Sequence, residues 1–209
     1  MFRNIFLQAM VIMGCMGHSA FAAGVEEPSK AYLKRFPIEA PFTVIIEYVD
    51  EAYSKIEGQR IFKSDKPFAA GQGPLIKLTG ISLNLYGLSA CPSDKPIQAF
   101  VYDGPCNGAL PRYIDTELSL SPILLCRSFL KYANEPVQDA TCYSLYTVGE
   151  TAIVHNVEAA LLEIGAGVLT RDKDGKALRP DLAEAEAHAR AKKTLLWSDE
   201  AKSAMGLAQ

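Results

Sequence analysis

Residues 42–61 read FTVIIEYVDEAYSKIEGQRI. Phe42 to Val49 is a β-branched and aromatic run, the composition of a strand, and a second run extends from about Ser54 to Ile61. The polar Asp50-Glu51-Ala52-Tyr53 lies between them. The two runs open a first half that stays β. Phe62 to Pro74 holds Gly71, Gly73, two prolines and two lysines and reads as an exposed loop. Next, Ile81, Leu83 and Leu85 alternate with Ser82, Asn84 and Tyr86, the period of a half-buried strand, and Ile97 to Tyr102 predicts another.

The character changes after Pro111. Leu120, Ile123, Leu124 and Leu130 fall at helical spacing, with Arg127 as a polar break and Pro122 in a first turn, and predict a helix over 118–133. Two short strands, 142–148 and 151–154, follow about Gly149-Glu150. Asn156 is placed to cap a helix whose apolar residues Ala160, Leu161 and Ile164 end at Gly165. Asp172-Lys173-Asp174-Gly175 is a turn that lacks most of the ligands of a calcium loop. Pro180 to Trp197, rich in alanine, predicts a last helix with Leu178, Leu182, Ala185, Ala189 and Leu196 on one face. Five β segments with about three helices imply an α+β chain, mainly β, built as a five-stranded Greek-key barrel of the oligonucleotide- and oligosaccharide-binding type.

The N-terminus has its own logic. Arg3, the mostly apolar stretch Ile5 to Met16 and Ala20-Phe21-Ala22 together read as a signal peptide over 1–22, cut after Ala22. Residues 23–41 are polar with three prolines and predict an extended lead-in; 42–197 form the domain, and 198–209 a tail. No run is long and apolar enough for a membrane span, so the expected location is periplasmic or secreted. Formal charge is −3 over 209 residues, and losing Arg3 makes it −4, which disfavours indiscriminate phosphate binding.

Five cysteines are present, and Cys15 leaves with the signal. Cys91, Cys106, Cys126 and Cys142 remain, an even set suited to disulfides in an oxidising compartment. Three pairings are open; closure of short loops favours Cys91 with Cys106 and Cys126 with Cys142. No C-x-x-C occurs, and His155 and His188 lie far from the cysteines in sequence, which disfavours zinc.

One family emerges from the details. Asn156-Val157-Glu158-Ala159-Ala160-Leu161-Leu162-Glu163-Ile164-Gly165-Ala166-Gly167, then an Ala/Glu-rich stretch from Ala183 to Lys193 ending at Leu196-Trp197, resembles the close of thermonuclease-like (staphylococcal nuclease-like) domains. There a helix ending in Gly-Leu-Ala precedes an Ala/Glu-rich helix ending in Gly-Leu-Trp. Val49 to Ile61 fits the family's first hairpin without a gap, and Asn84-Leu85-Tyr86-Gly87-Leu88-Ser89-Ala90 its Arg-Leu-Tyr-Gly-Ile-Asp-Ala strand. The resemblance spans 42–197 with an insertion near 62–80.

It implies calcium-dependent hydrolysis of nucleic-acid phosphodiesters. Aspartates supply hard oxygen ligands, two arginines neutralise charge on the phosphorane, and a glutamate handles the attacking water. At the matching positions stand other residues. Asp50 fits the first aspartate, a candidate metal ligand, but Ala52 takes the metal-binding position. Asn84 replaces the strand arginine, Ser89 the second aspartate, and Ser93, beside Pro92, the glutamate. Gln138-Asp139-Ala140-Thr141 offers no second arginine.

The expectation is therefore a degenerate member: a secreted or periplasmic binding or accessory protein without nuclease activity, in one version serving exopolysaccharide production such as succinoglycan. No cofactor is expected. Tyr53 and Tyr86 are the candidate binding aromatics, with Tyr48 and Tyr102 behind them, for a glycan, a protein or single-stranded nucleic acid. Two alternatives stand beside this. One is a calcium-dependent phosphodiesterase drawing replacement carboxylates from Asp50, Glu51, Asp94 and Asp103. The other is a structural envelope protein whose barrel face is blocked by 23–41.

Overall fold

The computed structural model describes residues 27–36, 39–99, 101–148 and 151–205. The signal assigned to 1–22 lies outside the described residues, as do the start of the lead-in and the end of the tail. The chain is α+β, as expected. A one-turn helix α1 (Lys30–Leu33) precedes the strands β1 (Phe42–Val49), β2 (Ile56–Ser64), β3 (Ala69–Ala70), β4 (Leu75–Lys77), β5 (Ser82–Leu85) and β6 (Leu88–Ser89). A small hairpin, β7 (Pro96–Ala99) with β8 (Tyr102–Pro105), leads into helix α2 (Ala109–Leu120). Then follow β9 (Ile123–Phe129), β10 (Val137–Val148), β11 (Thr151–Asn156), α3 (Val157–Glu163), β12 (Val168–Leu169), α4 (Ala183–Lys192) and α5 (Asp199–Met205).

Eight strands make one mixed sheet in the order β2-β1-β9-β10-β5-β4-β3, with β11 on β10. The β1–β9 and β5–β10 pairs are parallel, and the other pairs are antiparallel. This is a larger sheet than the five strands expected, and no hydrogen-bonded ladder joins β2 to β3 among the described residues. β1 is central and buried along almost its whole length because both faces are covered. Val44, Ile46 and Tyr48 enter the main core with Leu83, Leu85, Leu124 and the α2 and α3 side chains. On the other face Ile45 packs with Ile123, Leu125 and Leu145 under Leu33 of α1.

Several expectations are corrected. The helix predicted over 118–133 is instead the end of α2 followed by the central strand β9. Ile123-Leu124-Leu125-Cys126 is a continuous apolar run, buried on both faces, which fits a helical template as well as a strand; Pro122 holds Ser121 extended (φ −109°, ψ 103°) and ends α2. The presumed loop 62–74 contains the end of β2 and all of β3. The lead-in is not wholly extended: Ser29 caps α1 by accepting from Tyr32 N at 3.1 Å. The single helix over 180–197 breaks at Lys193, whose left-handed φ of 51° caps α4 before the short 3₁₀ turn Leu195–Trp197.

The close of the chain follows its sequence more nearly. Asn156 caps α3, its Oδ1 accepting from Ala159 N at 2.8 Å. Gly165, at φ 76°, ends that helix where an added Cβ would lie 2.5 Å from Thr194 O. Arg190 of α4 stacks 3.9 Å over Trp197 and pairs with the buried Glu186 at 3.0 Å. The bridges Cys91–Cys106 and Cys126–Cys142 are the pairing that short loops favour. No described helix is long and apolar enough to cross a membrane.

Candidate functional site

Alternation along β9 and β10 puts Arg127 and Phe129 on the same sheet face as Thr141 and Tyr143, since Thr141 pairs with Arg127 across the two strands. α1 covers one part of this face, with Leu33 fully buried over Ile45. Beyond α1 the sheet is open, and a cleft of about 660 Å³ lies between it, the β1–β2 turn and the 178–181 segment. That volume suits a small or oligomeric ligand.

The cleft boundary is a buried ion pair. Glu47 on β1 faces Arg127 on β9 in register, Oε2 to Nε 3.1 Å, with side chains 0% and 4% exposed. The Tyr32 hydroxyl donates to the other Glu47 oxygen, and burial together with that carboxylate pushes the Tyr32 phenol up to about 12. The N-terminal segment is thus tied to the cleft floor by a charge-assisted bond. Arg127 lies 5.9 Å over Tyr143, whose phenol burial raises to about 12.

One wall is aromatic. Tyr53 stands edge-on to Phe129 at 5.3 Å, and Phe129 edge-on to Tyr132 at 6.2 Å. Lys131 sits over both Phe129 and Tyr132, 5.3 and 5.4 Å from their centroids. Tyr53 is aimed by an unusual backbone, φ 56°, and the turn holding it is organised by Asp50, which accepts from Ser54 N at 2.6 Å, from the Ser54 hydroxyl and from Lys55 N at 3.2 Å. Those bonds, led by the Ser54 hydroxyl, hold the Asp50 carboxyl below its usual range. Asp50 is a turn organiser.

The opposite wall is Arg179. Its guanidinium donates to both Asp181 carboxylate oxygens (2.9, 3.1 and 2.7 Å) and to Thr141 Oγ1 at 2.8 Å. Burial opposes ionisation of Asp181, yet the bonds from Arg179 outweigh it and hold that carboxyl below its usual range. Gly87, at φ 88°, makes room for the arginine stem: an added Cβ would meet Arg179 Cγ at 2.4 Å. Beneath lies Glu158, fully buried, accepting Cys142 N at 3.0 Å. Burial pushes its carboxyl up to about 8, against the pull of Arg179, so it is largely the neutral acid near pH 7.

The residues singled out in the sequence divide. Tyr53 and Tyr86 both line the cleft, and Ala52 sits at its edge. Asn84 is one bond from the wall, donating to Asp139 Oδ1 at 2.6 Å. Ser89 bonds Thr170 at 2.6 Å on the β6–β12 pair, Ser93 accepts from Lys95 N in a turn, and neither lines the cleft. Tyr48 and Tyr102 are core residues, 3% and 8% exposed. Asp50, Glu51, Asp94 and Asp103 do not converge: no group of three or more His, Cys, Asp or Glu among the described residues is placed to hold a metal ion. Sequence reasoning missed Arg179, Asp181 and Tyr132. The one available signal was Arg127 itself, a charge inside an apolar strand.

No protein-family model matches the chain, and comparison with curated proteins finds no match.

Proposed function

We propose that this is an extracytoplasmic binding protein that holds its ligand in the cleft between β9–β10 and the 178–181 segment and does not cut phosphodiesters. The observation that carries the reading is the meeting of Tyr53 and Tyr86 in one cleft whose nearby family positions bear Ala52, whose side chain has no ligating atom, and Asn84, which carries no charge. In support of a thermonuclease-like scaffold, the β1–β2 hairpin, β5, α3 ending at Gly165 and the alanine-rich α4 follow one another in that family's order. We take the mixed sheet as an elaborated, barrel-like version of that scaffold. Two disulfides fit a periplasmic or secreted location.

A concrete role is accessory to the production of an extracellular polysaccharide. The test replaces the gene in its own cell by a Tyr53→Ala, Tyr86→Ala variant. Lower extracellular polysaccharide at normal protein level is expected; unchanged yield overturns this role.

A further inference from the structure

We infer that the cleft takes an uncharged oligosaccharide, recognised by ring stacking and by hydrogen bonds from paired polar side chains. This rests on the binding reading above and names its ligand class.

Arg127, Lys131 and Arg179 line the cleft together with Glu51, Asp139 and Asp181, three cations and three carboxylates. The cations have carboxylate partners: Arg127 with Glu47, Arg179 bidentate with Asp181, and Lys131 with Glu51 at 3.3 Å. A polyanion site works by placing free protein cations on phosphates, which releases the phosphates' condensed counterions to solution. Here the two arginines are held by a buried and a bidentate carboxylate, Lys131 has only an exposed partner, and a phosphate chain would also face Asp139 and Asp181. The cleft is balanced, and the chain around it is net acidic.

What remains is shape and hydrogen bonding. The sugar ring presents apolar C–H faces and an equatorial rim of hydroxyls. Tyr53, Tyr86 and Tyr132 offer aromatic surface to the faces and hydroxyls to the rim, at small conformational cost because each has few rotatable bonds. Asp139, Asp181 and Arg179 are planar, multidentate partners for vicinal hydroxyls; Asn84 holds the first of them in place, and Arg179 and Asp181 hold each other. The cleft volume of about 660 Å³ holds more than one sugar ring.

The experiment titrates the oxidised, exported protein with cellotetraose, laminaritetraose, maltotetraose and an oligothymidylate, reading tyrosine fluorescence and heat. Saturable binding of a neutral tetraose is expected, unchanged between about 50 and 200 mM salt, a span over which three phosphate contacts to a single strand would lose roughly twentyfold. Tyr86→Ala should weaken it about tenfold and Tyr86→Phe much less, as expected for a ring contact worth ~1.4 kcal/mol. Asp181→Asn, which uncovers Arg179, should switch on salt-dependent oligothymidylate binding. Binding of oligothymidylate by the unaltered protein with steep salt dependence, or no binding of any tetraose, overturns the ligand class. Cleavage of oligothymidylate would instead overturn the binding reading itself.

Discussion

Glu47 and Arg127 face each other across the parallel strands β1 and β9 with 3.1 Å between Oε2 and Nε, both almost wholly excluded from solvent. A pair this buried contributes little net stability while intact but is costly to break, because the survivor keeps its charge without its partner. Glu47→Ala should therefore cost about 3–5 kcal/mol in urea unfolding. Tyr32→Phe, which removes only one hydrogen bond to the carboxylate, should cost about 1.5–3 kcal/mol. Equal small losses in both variants would show that the pair is hydrated in solution.

Gly87 supports the cleft wall through its backbone. At φ 88° a side chain costs roughly 1–2 kcal/mol, and here a Cβ would also push the Arg179 stem. Gly87→Ala should lower the urea midpoint and loosen the Arg179 bond to Thr141, seen as a change in Tyr53 and Tyr143 fluorescence. A variant as stable as the parent, with unchanged spectra, would contradict the close approach.

The buried Glu158 makes stability pH-dependent in an unusual direction. Its folded carboxyl titrates near 8, above the ordinary 4.5 of the unfolded chain. Between those values the folded state keeps a proton that the unfolded state has released, so this group's contribution to stability falls as pH rises from 4.5 to 8 and then levels off. The slope should approach about 1.4 kcal/mol per pH unit. Glu158→Gln should flatten that part of the profile; parallel curves for the two proteins would show that the carboxyl is not held neutral.

Each disulfide closes a short loop, 15 and 16 residues apart in sequence. Loop-closure entropy assigns each about 3 kcal/mol. The Cys91→Ala, Cys106→Ala variant isolates the first of these while leaving the Cys126–Cys142 bridge between β9 and β10 intact. A loss near 3 kcal/mol is expected in calorimetry or urea unfolding. No loss would place that loop outside the cooperative unit.

How far the sequence showed this molecule depends on the range of the interactions. The β1 run, the alternation at 82–85, the Asn156 cap and the Gly165 stop are local signals, and the structure uses them locally. β9 was hidden because an apolar run buried on both faces has no period of its own. Its place between β1 and β10 is decided by partners far away in the chain. The cleft shows the same divide. Tyr53 and Tyr86 belong to segments with a recognisable pattern, whereas Arg179 and Asp181 reach the cleft through a loop, and nothing in Arg179-Pro180-Asp181 tells of Thr141 or Glu158. Asp50 was legible as a candidate metal ligand through the resemblance, whereas its bonds to Ser54 and Lys55, which make it a turn organiser, are visible only in three dimensions.

The most direct measurement is calcium-dependent cleavage of single-stranded DNA by the full chain, exported and purified oxidised, beside a Glu51→Gln, Asp139→Asn variant lacking two cleft carboxylates. The account predicts no cleavage by either protein at high concentration. Calcium-dependent cleavage by the parent that disappears in the variant would contradict it and make the cleft an active site.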